Sequence, residues 1–138
     1  MDRTFNLKPS EARKKWAEAL RGGKYKQGRS KLCTQCAEGE ELFCCLGVAC
    51  EVFMQHEYGL VKRVVTGERA SSEYVSEGCP QSLGLPFVVR SWLGMTSCEG
   101  LLTSGDSLVT ANDRSKIDFL RIADIVESDL LPKVNGFE

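Results

Sequence analysis

Phe43-Cys-Cys-Leu-Gly-Val-Ala-Cys-Glu-Val-Phe-Met54 is the stretch on which the fold turns. Leu46, Ala49, Cys50 and Phe53 fall at i, i+3, i+4 and i+7, the spacing of one helical face. Cys45, Val48 and Val52 cover much of the other side. A helix apolar nearly all round belongs at the centre of a core. Gly47 costs it about 1 kcal/mol against alanine, and would let a neighbour approach closely.

Working outward, the segment before it is basic and broken by glycine: Gly23-Lys-Tyr-Lys-Gln-Gly-Arg-Ser-Lys-Leu32. It reads as a connector, too polar for a core element. Glu38-Gly-Glu-Glu41 reads as an exposed loop. Ahead of the connector, Pro9 and Ser10 start a helix that Gly22-Gly23 stops, over about 10–20. Ala12, Trp16 and Leu20 make its apolar stripe, with Arg13, Lys14, Glu18 and Arg21 on the wet side.

On the C-terminal side, Leu60-Val-Lys-Arg-Val-Val65 and Glu73-Tyr-Val75 are rich in β-branched and aromatic residues. With Thr66-Gly67 and Ala70-Ser-Ser72 between them, they predict a two-stranded hairpin. Residues 78–84 read as loop. A short helix follows over 86–93, with Pro86 at its first position and Gly94 as its cap. Residues 100–110 read as irregular, with a short helical turn at most. Ser115-x-x-Asp118 then resembles a capping box, opening a helix striped by Phe119, Ile122, Ala123, Val126 and Leu130 and ended by Pro132. The fold class is therefore α+β: one helix-rich domain over 1–138, with a buried, cysteine-rich central helix and a small β-hairpin.

Composition sets limits on function. Hydrophobic residues at 42% and charged residues at 27% describe a globular chain. The longest apolar run is nine residues, Leu42 to Cys50, far short of the roughly 20 that a membrane span needs. The stretch MDRTFNLKPS has no apolar h-region, so no signal peptide is expected. Seven cysteines, an odd number with Cys44 beside Cys45, fit reduced thiols and a cytoplasmic setting. Residues 1–32 carry ten Lys/Arg against three Asp/Glu, and the rest carry eight against sixteen. A basic end on an acidic body points to an anionic ligand or a charge-steered partner, unless the two parts simply attract each other.

Catalytic patterns are weak. His56 is the single histidine, and in one helix it would stand about 16 Å along the axis from Cys45, out of hydrogen-bond reach. Cys33-Thr-Gln-Cys36 has a zinc-knuckle spacing but no second spaced pair, so neither metal nor cofactor is expected. Gly22-Gly23-Lys24 lacks the phosphate-loop spacing. What remains suits binding. Tyr25 among Lys24, Lys26, Gln27 and Arg29 can stack on a ring while the cations meet phosphates. Asn112-Asp113, read as lying just before the last helix, offers polar groups near a helix N-terminus or an Asx turn. Arg90 on the short helix is a third candidate. The candidate ligand-binding residues are thus Lys24, Tyr25, Gln27, Arg29, Arg90, Asn112 and Asp113.

Trp16-x-x-Ala-Leu-x-x-Gly-x-Tyr-x-Gln-Gly28, Cys44-Cys-Leu-Gly-Val-x-Cys50, Leu85-Pro-x-x-Val-x-x-Trp-Leu-Gly94, Asn112-Asp113 and Phe119-x-x-Ile-Ala-Asp-Ile125 occur in that order. The ordered set resembles a family of small, uncharacterised proteins encoded by phages and prophages, over about residues 16–127. The Cys33–Cys36 knuckle and the insert before Phe43 depart from it. The resemblance implies a viral accessory role in the host cytoplasm and brings no activity to any residue. The expectation is a protein that binds rather than catalyses: a counter-defence protein capturing an anionic, nucleotide-like small molecule, or blocking a host protein. A thiol-dependent hydrolase or transferase and a nucleic-acid binder using the basic segment are the alternatives, and self-association is left open.

Overall fold

The computed structural model describes residues 3–36, 38–66, 70–130 and 132. Gly67, expected in the hairpin loop, lies outside these residues. Among the described residues there are five helices and six strands: α1 (Pro9–Arg21), β1 (Lys26–Gln27), β2 (Cys33–Gln35), β3 (Glu41–Phe43), α2 (Cys45–His56), β4 (Val61–Val65), β5 (Ser71–Ser76), β6 (Cys79–Gln81), α3 (Phe87–Trp92), α4 (Leu108–Asp113) and α5 (Phe119–Ser128). The α+β class read from the sequence is the class observed.

The strands form one mixed sheet in the order β1-β3-β2-β5-β4, with β6 also on β5. Only β1 and β3 run parallel. The expected hairpin is β4–β5, with Arg63 opposite Glu73 and Lys62 opposite Tyr74. It is one part of a larger sheet. β1 and β6 stand where connector and loop were expected, β2 holds Cys33 of the expected knuckle, and β3 runs from the expected loop into Phe43, so that the central helix starts at Cys45 and not at Phe43. Two or three residues are too few to show an alternating pattern. The β5–β6 turn carries two positive φ values, 52° at Glu77 and 77° at Gly78, as a tight hairpin turn requires.

Register puts Phe43, Cys33, Ser72, Tyr74 and Lys62 on one face of the sheet. α2 packs on that face: Glu51 accepts a hydrogen bond from the Tyr74 hydroxyl at 2.7 Å. α1, α3 and α4 surround the rest of α2, and α5 packs on α1. Cys45, Leu46, Val48, Ala49, Cys50 and Phe53 have no exposed surface, so the helix is enclosed along most of its length, and Glu51, Met54 and Gln55 near its C-terminal end reach the surface. Gly47 is needed for that closure. A Cβ there would stand 1.8 Å from the Leu32 carbonyl oxygen, which crosses the helix and accepts the Cys44 N–H at 3.3 Å. Trp16 and Trp92 fill the flanks. The Trp16 indole donates to the Cys45 carbonyl at 2.9 Å, and Trp92 stacks edge-on to Phe53 at 5.2 Å.

Arg13 departs from its expected wet position. It is 1% exposed, and its guanidinium donates to the carbonyls of Leu93 at 2.7 Å, Gly94 at 3.1 Å and Leu130 at 3.4 Å. Burial lowers its pKa to about 10, still protonated at neutral pH. An i+1 neighbour of an apolar residue reads as surface; here the C-terminal carbonyls of α3 draw it inward. The last helix also begins later than the capping box predicted. Asp118 is the N-cap and accepts the Arg121 N–H at 3.0 Å.

Candidate functional site

The basic segment lies against α2 and the sheet, and its residues separate into three environments. Tyr25 is half-buried, edge-on to Phe43 at 5.2 Å, and its hydroxyl accepts from the Gln55 amide at 2.9 Å. The Lys24 ammonium lies 5.4 Å from the Tyr25 ring centroid, a cation–π distance. Around this ring opens a groove of about 450 Å³ with Phe43 and Met54 in its floor and Lys24, Lys26, Glu40 and Glu51 on its walls. Lys26 pairs with Glu40 at 2.7 Å, and this hydrogen bond raises the lysine pKa. Both partners are about half exposed or more, so the pair opens easily to a competing ligand.

Behind the groove, Lys62 is held between Glu41 at 2.6 Å and Glu51 at 3.0 Å, and 5.0 Å from the Phe43 ring centroid. Burial works against its charge, yet the bonds to Glu41 and Glu51 win and raise its pKa. Glu51 is thereby shared between Lys62 and Tyr74, whose hydroxyl is pushed upward by burial and by the carboxylate. The back wall is a set of closed ion pairs, which leaves Lys24 and Lys26 as the exposed cations of the groove.

Gln27, Asn112 and Asp113 form a second environment, internal to the fold. Asn112 is fully buried. Its Oδ1 accepts from Gln27 Nε2 at 2.8 Å and from the Cys45 N–H at 3.3 Å, and its Nδ2 donates to the Gly28 carbonyl at 2.9 Å. Asp113 Oδ1 accepts from the Ser30 N–H and from Asn112 Nδ2, both at 2.9 Å. The Asn112-Asp113 pair therefore closes α4 rather than preceding α5. The helix N-terminus it serves is that of α2, and its own amide fills that place. Arg29 is exposed beyond this network. Arg90 stands apart on α3, with its guanidinium 4.8 Å from the Phe87 ring centroid. The structure thus joins Lys24 and Tyr25 in a groove, gathers Gln27, Asn112 and Asp113 in a clasp, and leaves Arg29 and Arg90 outside both. Phe43, Met54 and Gln55 were missed as groove residues. The sequence places them on one helix; in the structure Phe43 is brought to Tyr25 by the register of β3, and Met54 and Gln55 by the pose of α2.

The thiols on α2 suit packing. Burial drives the Cys44 pKa to about 11 and those of Cys45 and Cys50 well above the ordinary value. Cys45 opens α2 and His56 closes it. Cys33 is likewise pushed by burial to about 11, its Sγ 3.5 Å from Glu41, while the Cys36 thiol reaches Glu38 at 3.2 Å. Among the described residues, no group of three or more His, Cys, Asp or Glu side chains has a metal-holding arrangement.

A mixed sheet covered by a largely buried helix, with an open groove at one side, defines a small α+β fold. A model of the family described as a domain of unknown function (DUF8296) matches residues 8–130, and the chain belongs to that family. No curated protein and no solved structure matches it. Among the described residues no helix is long and apolar enough to cross a membrane.

Proposed function

We propose that the chain is a binding protein that takes a nucleotide-like ligand in the groove over Tyr25. The groove itself carries this reading: an aromatic floor of Tyr25 and Phe43 beside two exposed lysines. A planar ring stacks on Tyr25, and Lys24 and Lys26 neutralise phosphate once Lys26 leaves Glu40. The freed Glu40 carboxylate accepts from a ribose hydroxyl or an exocyclic amine. Support for binding over catalysis comes from the thiols of α2, which are buried and protonated where a nucleophile needs an accessible thiolate. A cytoplasmic, viral accessory role in counter-defence belongs to the same proposal. It rests on the ordered motifs and on the seven free thiols.

Titration calorimetry with cyclic and ADP-ribose-type nucleotides tests the reading. We expect saturable heat with at least one of them, reduced about tenfold or more in affinity by Tyr25→Ala, since stacking contributes ~1–3 kcal/mol per base. No heat with any nucleotide, or equal affinity in the Tyr25 variant, removes the groove as the site.

A further inference from the structure

Two segments far apart in the chain are clasped side by side. Ser30 and Asp113, 83 residues apart, share a hydrogen bond, and Gln27 Nε2 donates to the Ile117 carbonyl at 2.7 Å. Each segment contains a non-glycine residue with positive φ, Ser30 at 76° and Lys116 at 54°. Such backbone costs of order 1–3 kcal/mol and persists only where surrounding bonds impose it. The clasp brings Arg29 and Lys31 of one segment next to Arg114 and Lys116 of the other. Arg29, Arg114 and Lys116 are exposed, and Lys31 is half-buried.

The same segments hold two carboxylates, and both are engaged with backbone. Asp113 accepts the Ser30 N–H, and Asp118 caps α5. Among the described residues, none of the four cations has a carboxylate within 4 Å. This differs from Lys26, Lys62, Arg21 and Arg63, which are all paired. Four cations set on two strained loops without counter-charges form a surface whose natural complement is phosphate.

We propose that this two-loop surface binds the phosphate backbone of single-stranded nucleic acid. None of the four cations lines the groove over Tyr25 or the cavity beside Ser115 and Arg121, and they are spread over two loops, so a lone phosphate would meet few of them at once. A polymer meets them in sequence, and each phosphate neutralised releases counterions and adds to affinity. The segment that supplies Arg29 and Lys31 also carries Tyr25, an aromatic ring that an unpaired base can reach and a base inside a duplex cannot. The phosphate contacts need only the loops, so the surface stands independently of the groove reading.

Fluorescence anisotropy of a labelled single-stranded oligothymidylate, titrated with the full chain over a series of salt concentrations, tests this. The logarithm of affinity is expected to fall linearly with the logarithm of salt. Arg114→Ala/Lys116→Ala should weaken binding about tenfold or more and flatten the slope by about 1.4, the share of two phosphates on a single strand. Lys14→Ala/Lys15→Ala removes the same charge from the exposed face of α1 and should change neither. No salt-dependent binding at low salt, or an equal loss in the α1 variant, overturns the proposal. Equal binding of dextran sulfate overturns the nucleic-acid assignment. Tyr25→Ala separates the two sites: loss of mononucleotide heat with an unchanged oligonucleotide salt slope would show that the loops act on their own.

Discussion

The cysteine helix and the basic segment that crosses its N-terminus meet at Asn112, and they are held by opposite means. α2 is fixed by shape. Its apolar side chains from Cys45 to Phe53 are buried, and one backbone carbonyl, that of Leu32, fits only because residue 47 has no Cβ. Residues 24–31 are fixed by polar bonds, through Gln27, Gly28 and Ser30 to Asn112, Asp113 and Ile117. The thiols of the closed part are buried. The polar part leaves Lys24 and Arg29 exposed and Tyr25 and Lys31 half-buried. A closed interior positions the segment, and the binding proposed above uses what the interior does not consume.

Alkali should break this contrast most severely. The Cys33 and Cys44 thiols move from about 9 to about 11 on folding, and Cys45, Cys50 and Tyr74 move in the same direction. Each is an acid with a raised folded pKa, so its contribution is intact below about pH 9 and is lost as pH climbs toward 11. Circular dichroism against pH should show cooperative unfolding in that window; a fold unchanged at pH 11 would contradict the burial of these groups. Next in size is Gly47→Ala. The added methyl must displace backbone, and we expect a loss of about 3 kcal/mol in urea unfolding. Asn112→Ala should cost about 2 kcal/mol, because it strands the Cys45 N–H and the Gly28 carbonyl. It should also weaken ligand binding by loosening the segment that carries Tyr25. Smallest in stability is Tyr25→Ala, about 1 kcal/mol for the lost edge-on pair with Phe43, alongside the largest loss of nucleotide heat. A Tyr25 variant that unfolds as readily as the Gly47 variant would make Tyr25 a core residue instead.

The same contrast explains what could be read in advance. α2 was legible because its partners repeat at helical spacing, and α1, α3, α5 and the β4–β5 hairpin declared themselves by period and punctuation. Gly47 could be read as a point of close approach, and the carbonyl that approaches it is that of Leu32. The short strands β1, β2, β3 and β6 could not be seen, since their identity lies in neighbours brought from elsewhere in the chain. Arg13 was misread because its partners are carbonyls 80 or more residues away. Lys24, Tyr25, Gln27, Arg29, Asn112 and Asp113 were all singled out by residue type, yet type alone could not separate the groove from the clasp. Glu40, Phe43 and Met54 complete the groove only through sheet register and the pose of α2.

Native-state alkylation followed by mass spectrometry tests the division between closed helix and open segment most directly. At neutral pH, Cys36, Cys79 and Cys98 should take up iodoacetamide, while Cys44, Cys45 and Cys50 remain unmodified until the chain is unfolded. Rapid, selective labelling of any thiol on α2 in the folded protein would contradict the account and return that helix to the list of reactive sites.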